Sequence, residues 1–180
     1  MKADTAYTAV GAFLDHWNGV RLVTLKLLES FEDGDLAQPV VTGGRSVGKV
    51  FHHIGGHQFF VARGVLTRRW RPDPGDPDAD WTAHQERVAR SVSGLHDWLA
   101  GTQSRLHEWI DAADESALVK LRPDNPWHKG MRGWLLLHHP YQDELHHRGQ
   151  LYVAARRLGR VPPPVFAEEH PEYWIPRQGR

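Results

Sequence analysis

Two short stretches place metal-ligand side chains at helical spacing: DELHHRGQ, residues 143–150, and FHHIGGH, residues 51–57. On an α-helix, residues four apart differ by about 40° around the axis and about 6 Å along it, so their side chains can converge on one ion. Asp143 and His147 have that spacing, as do His139 and Asp143 one turn earlier and His53 and His57 in the other stretch. His146 is offset by about 100° from His147, so the doublet supplies one ligand and not two. A single helix cannot surround an ion, and a two-helix site needs His53 or His57 to join Asp143 and His147. Two imidazoles and one carboxylate suit zinc, nickel, manganese or iron and leave positions open for water or substrate, as in catalytic sites. The competing reading is solvated helix surface, since thirteen histidines in 180 residues form some i, i+4 pairs by chance. Glu144 and Arg148 share the spacing and read as a surface salt bridge.

The elements that must position these residues are helical. Val10, Phe13, Leu14, Trp17, Val20, Val23, Leu27 and Leu28 recur at helical spacing and predict a first helix from Thr5 to about Phe31. Ser46 is placed to cap a second, which runs through Val47, Val50, Phe51, Ile54, Phe59, Val61 and Leu66, with Gly55 and Gly56 as a weak or closely packed point. Residues 67–80 are rich in Pro, Gly and charge and form a loop. A third helix is expected from about Thr82 to Ile110, slackened near Gly101, and Arg122 to Gly130 forms another connector. A fourth runs from about Met131 to Leu158, capped by Gly159 and stopped by VPPP. Pro140 either bends that helix or marks where its regular part starts. Ala117 to Leu121 is the only strand-like run. The expected architecture is an all-α four-helix bundle with long connecting loops in one domain, the bundle covering about residues 5–160 and a Pro-rich tail 161–180. Tyr173, Trp174 and Ile175 of the tail can pack back on the bundle or serve a partner chain.

Composition narrows the chemistry. The 22 Lys plus Arg equal the 22 Asp plus Glu, so no net basic field favours nucleic acid. Without cysteine, disulfides, thiolate metal sites and a cysteine nucleophile are excluded, and any thiol must arrive with a substrate. Asp15 and His16 interrupt the N-terminal apolar pattern, and no run approaches the roughly 20 apolar residues of a membrane span. A cytoplasmic protein with no membrane partner is the expectation.

The stretches HHRGQLYVAARRLG and VPPPVF, with SVGKVFHHIGGHQFFV upstream, resemble the signature of the DinB/YfiT-like superfamily. Together the two motifs cover most of residues 5–165. The resemblance implies a four-helix bundle with a long crossover, often a homodimer, holding a divalent metal ion with three histidines. Carried over position by position, the ligands fall on His53, Asp143 and His147. Asp143 departs from the family pattern, which has His there, and makes the site harder and less positive. His57 and His139 are close enough in sequence to substitute or to support the ligands. Characterised members of this superfamily are thiol-dependent: transferases using bacillithiol or mycothiol, and a mycothiol-dependent maleylpyruvate isomerase. A metal-dependent S-transferase acting on small electrophiles, connected with stress or detoxification, is therefore expected. Arg148 or Gln150 would orient the site or stabilise helix packing. Two alternatives stand beside it: a hydrolase in which His57 or Glu144 is the general base, and a metal-binding stress protein without catalysis. Trp70, Trp81 and Trp127 would either wall the substrate groove or anchor its loops.

Overall fold

Each regular element is helical in the computed structural model, which describes residues 3–113, 116–121, 124–126 and 130–165, with side chains from residue 12 onward. In chain order these are α1 (Ala3–Glu29), a 3-10 turn (Asp33–Ala37), α2 (Val47–Thr67), α3 (Trp81–Val88), α4 (Val92–Ala112), α5 (Ser116–Val119) and α6 (Gly133–Arg157). The four long helices pack around a ring in the order α1, α4, α2, α6. Consecutive α1 and α2 therefore lie on a diagonal, and the connection through the 3-10 turn is a crossover.

Two apolar clusters fill the bundle. One gathers Leu27, Leu28, Val47, Phe51, Leu95, Leu99 and Leu151; the other gathers Leu14, Trp17, Val61, Val65, Leu106, Leu136 and Leu137. Between them lies a layer of buried polar side chains, including Arg21, Thr24, Gln58, Gln103 and Glu144. Burying such groups is tolerable only when they bond to each other, and here each does, although Arg21 Nε itself has no partner among the described residues.

Local chemistry explains the helix ends. Ser46 Oγ accepts the Lys49 N–H at the start of α2. At the other end of the bundle sequence, Gly159 takes φ +74°, with the Arg160 N–H donating to Ala155 O at 2.9 Å and the Gly159 N–H to Arg156 O at 3.1 Å. That paired closure is the Schellman motif expected of a terminal glycine. The helix passes through Pro140 without interruption.

The expected third helix is two helices. Ser91 interrupts it by accepting the Gly94 N–H on its hydroxyl at 3.1 Å, and Asp33 Oδ1 accepts the Val92 N–H at 2.7 Å; together they start α4 afresh. Gly101 causes no slackening, because α4 is regular through it. The strand-like run at Ala117 is a single helical turn, with Leu121 pairing to Arg132 in an isolated bridge. Gly55 and Gly56 mark close packing: a Cβ at Gly55 would meet Trp98 Nε1 at 2.4 Å, and one at Gly56 would meet Trp81 Cη2 at 1.8 Å.

The tryptophans serve as anchors. Trp81 starts α3 with its ring against Gly56 and His52. Trp70 covers Gly64 and donates from Nε1 to Asp124 Oδ2 at 3.0 Å. Between them, residues 67–80 are tied to the bundle by fully buried Arg63, which donates to Asp76, to both carboxylate oxygens of Asp78 and to the Arg69 carbonyl. Trp127, Tyr173, Trp174 and Ile175 lie outside the described residues.

Candidate metal centre

α2 and α6 are adjacent in the ring, and their facing turns bring the two histidine stretches together. Asp143 is the meeting point. Its Oδ2 lies 3.2 Å from His53 Nε2 and 3.0 Å from His57 Nδ1, and its Oδ1 lies 3.4 Å from His147 Nε2. The side chains are 14–29% exposed, so the cluster is walled by the bundle yet open on one side. His53, His57 and Asp143 each offer a ligand atom within 4.8 Å of the others, a spread that one divalent ion can span. The donor set, two imidazoles and a carboxylate, fits such an ion.

The sequence candidates separate in space. His57, ranked behind His53 on sequence grounds, stands as close to Asp143 as His53 does, because both project one turn apart from the same face of α2. His147 approaches the carboxylate from its other oxygen and is outside the tight three-atom group, as is His139. His147 Nδ1 pairs with Gln150 Oε1 at 2.9 Å, which orients the ring and leaves Nε2 facing Asp143. Gln150 also contacts His146, the doublet member turned away from the cluster. Gln150 thus holds the His147 ring, one of the two roles the sequence left open for it.

Electrostatics in the cluster run in one direction. Burial works against the Asp143 carboxylate, but hydrogen bonds from His147, His53 and His57 outweigh it and hold the carboxyl well below the usual carboxylate range. The same bond to Asp143 raises the His147 pKa above the ordinary imidazole value, against the opposing effect of burial. An anionic carboxylate among imidazoles is the state that attracts a cation.

Glu144, one residue on, faces the opposite way. It is fully buried and accepts from Trp17 Nε1 at 2.8 Å, Arg21 Nη2 at 2.9 Å and Thr24 Oγ1 at 2.7 Å. Arg148 donates to the Val20 carbonyl at 3.2 Å. The surface salt bridge expected between Glu144 and Arg148 is therefore replaced by separate contacts of each residue to α1. Glu144 is also removed as a general base, since its lone pairs are engaged and no solvent reaches it. A signal for this was present: Leu137, Pro140, Glu144, Arg148 and Leu151 follow steps of three and four, so the two charged residues lie on the inward stripe of α6. The network continues from Arg21 through Gln58 and Gln103 to Asn18 and His107. His57 and Gln58, like Asp143 and Glu144, are neighbours in sequence that serve the cluster and this buried layer respectively. The layer holds α2 and α6 in the register that lets the cluster close.

A second histidine pair lies behind α2. His52 is fully buried, with Nε2 2.8 Å from His84 Nδ1 and its ring stacked on Trp98. Burial, reinforced by His84 and His53, pushes the His52 pKa down to about 3, so the ring is neutral and packs as part of the core.

A helical bundle carrying a half-buried His/Asp cluster between two of its helices defines the class: an all-α protein with a candidate divalent-metal site. The DinB family profile matches residues 1–177, and the chain belongs to the DinB family. Among solved structures, a DinB-like protein from Bacillus cereus ATCC 10987 superposes with a TM-score of 0.68, covering 87% of this chain and 97% of that one at 21% sequence identity. That likeness speaks to the fold. No curated protein matches the chain. Among the described residues, no helix is long and apolar enough to cross a membrane.

Proposed function

We propose that this chain binds a divalent metal ion between α2 and α6 and uses it in a reaction of a small thiol with an electrophile. The observation that carries the reading is the closure of three imidazoles on one carboxylate from two helices. His53, His57 and Asp143 would hold the ion, with His147 joining through a small rotation or holding the carboxylate in place. A divalent ion at this position supplies a Lewis acid that lowers the pKa of a thiol and makes it nucleophilic at neutral pH. The residues do the rest: Asp143 offsets the positive charge, Gln150 fixes the His147 ring, and the buried Glu144 layer holds the two helices at a constant separation. The absence of cysteine suits a site that takes its thiol from a cosubstrate. A homodimer, a stress or detoxification role and a cytoplasmic setting belong to the same reading, by family membership alone. Hydrolysis is the second reading; with Glu144 sealed in the core, it must rely on a histidine of the cluster as base.

Cobalt-substituted protein tests the proposal directly. Elemental analysis of protein purified without chelator or affinity tag should show metal in the wild type and less in Asp143→Ala and His53→Ala; equal content in all three removes the site. Titration of a small thiol into the cobalt form should then produce thiolate-to-cobalt absorption in the near ultraviolet. A loaded protein that gives no such band keeps the metal but loses the transferase reading.

A further inference from the structure

Lys49, His53 and His57 follow one another on α2 at four-residue steps, each about one turn from the next. The last two belong to the metal centre. Near the first, a cavity of about 680 Å³ opens where the start of α2 meets the 3-10 turn and the end of α3, lined in part by Arg45, Ser46, Lys49, Gln85, Glu86 and Arg90. Among the described residues, Arg45, Lys49 and Arg90 have no carboxylate partner within ion-pair distance. Asp33 and Glu86 also line the cavity, the former accepting the Val92 N–H at 2.7 Å at the start of α4, so the three cations outnumber the carboxylates by one. The first turn of the 21-residue helix α2 opens onto the same space through Ser46 and adds the positive end of its dipole.

Cations brought together around a void repel one another, and an anion entering the void reverses that cost. Arg45 and Arg90 offer planar forks suited to carboxylate or phosphate, and Lys49 a point charge. Lys49, on the cavity wall, lies one helical turn before His53 on the same face of α2, which sets the cavity beside the cluster. We infer that this cavity is a subsite for the anionic group, a carboxylate or a phosphate, of the small molecule whose reactive end meets the metal centre. The inference rests on the metal reading above for the second half of that molecule. With the subsite on one turn of α2 and the cluster on the next two, the anionic and reactive groups of such a molecule lie on the order of 6 to 12 Å apart.

Calorimetric titration of succinate and of inorganic phosphate, at low ionic strength, tests this on both metal-loaded and chelator-treated protein. Wild type should bind at least one of the two saturably in either metal state, and the tighter one identifies the class of the anionic group. The triple variant Arg45→Gln, Lys49→Gln, Arg90→Gln should bind at least tenfold more weakly with unchanged metal content, while Arg87→Gln, outside the cavity, should match wild type. No saturable binding to wild type, or equal binding by the triple variant, overturns the subsite. Binding confined to metal-loaded protein and untouched by the substitutions assigns the anion to the ion, which overturns the subsite and leaves the metal reading standing. Conversely, binding that the triple variant loses, in a protein that takes up no metal, keeps the subsite and sinks the metal reading.

Discussion

A carboxylate ringed by imidazoles carries its own pH record, and at Asp143 the direction can be worked out. In metal-free protein the His147 pKa is raised above its ordinary 6.5 by the bond to Asp143. Its contribution to stability is therefore complete below about pH 6.5 and is lost as pH rises through the folded value. Asp143 is depressed, so its contribution is present above the ordinary carboxylate value of about 3.9 and is lost as pH falls through the folded one. Asp143→Asn should consequently destabilise chelator-treated protein most between about pH 4 and 6.5, a difference that denaturant melts at pH 5.5 and pH 8.5 will resolve. Metal loading obeys the opposite trend, because ligating imidazoles must lose their protons, and affinity should fall as pH drops through the His147 value. Metal affinity that is flat from pH 5 to 8 would rule out imidazole ligation at this cluster. At this scale the Asp143 and His147 pair was legible from spacing alone. The choice between His53 and His57 was not, since both share a face of α2 and only the placement of α6 shows that one carboxylate oxygen meets both.

Helix α6 presents Asp143 outward and Glu144 inward, and the two halves of its role can be separated by mutation. Glu144→Ala strips the acceptor from Trp17, Arg21 and Thr24 and leaves the Arg21 guanidinium buried without its partner. We expect a loss of about 3–5 kcal/mol in urea unfolding. The double variant Arg21→Met, Glu144→Leu should lose much less than either single change, because it removes both buried charges together; an additive loss would show that the layer stabilises through something other than its ion pair. Packing between elements gives a second test. A methyl at Gly48 would lie 2.1 Å from the Ala89 carbonyl oxygen, where the turn between α3 and α4 docks on α2. Gly48→Ala should cost about 1–3 kcal/mol despite the better helix propensity of alanine. At Gly101 a methyl meets nothing within 4 Å, and Gly101→Ala should stabilise by about 0.5–1 kcal/mol. Equal denaturation midpoints for the two variants would contradict the close approach at Gly48.

Across the whole molecule, an ion between α2 and α6 ties together two helices that are adjacent in the ring but far apart in the chain. Because such a site exists only in the folded chain, saturating metal should raise the unfolding free energy by about 2.7 kcal/mol at a hundredfold excess over Kd. Thermal melts with zinc or nickel should show that shift in wild type and not in Asp143→Ala; the same shift in both would place the ion elsewhere. The helical class, the two histidine motifs and the Gly159 stop were all legible in the sequence, because periodicity, capping and i, i+4 spacing are local and depend on residues within a turn or two. The break at Ser91 was missed for a related reason: Ser91 competes with a run of apolar residues that would continue the helix, and Asp33, 59 positions before Val92, helps to start α4. Asp143 with His147 could be read from one helix as a pair. That His53 and His57 both close on Asp143, that Glu144 is sealed beneath it, and that Arg45, Lys49 and Arg90 share a cavity one turn away were decided only by tertiary structure, since each depends on the rotation and register of helices far apart in the chain.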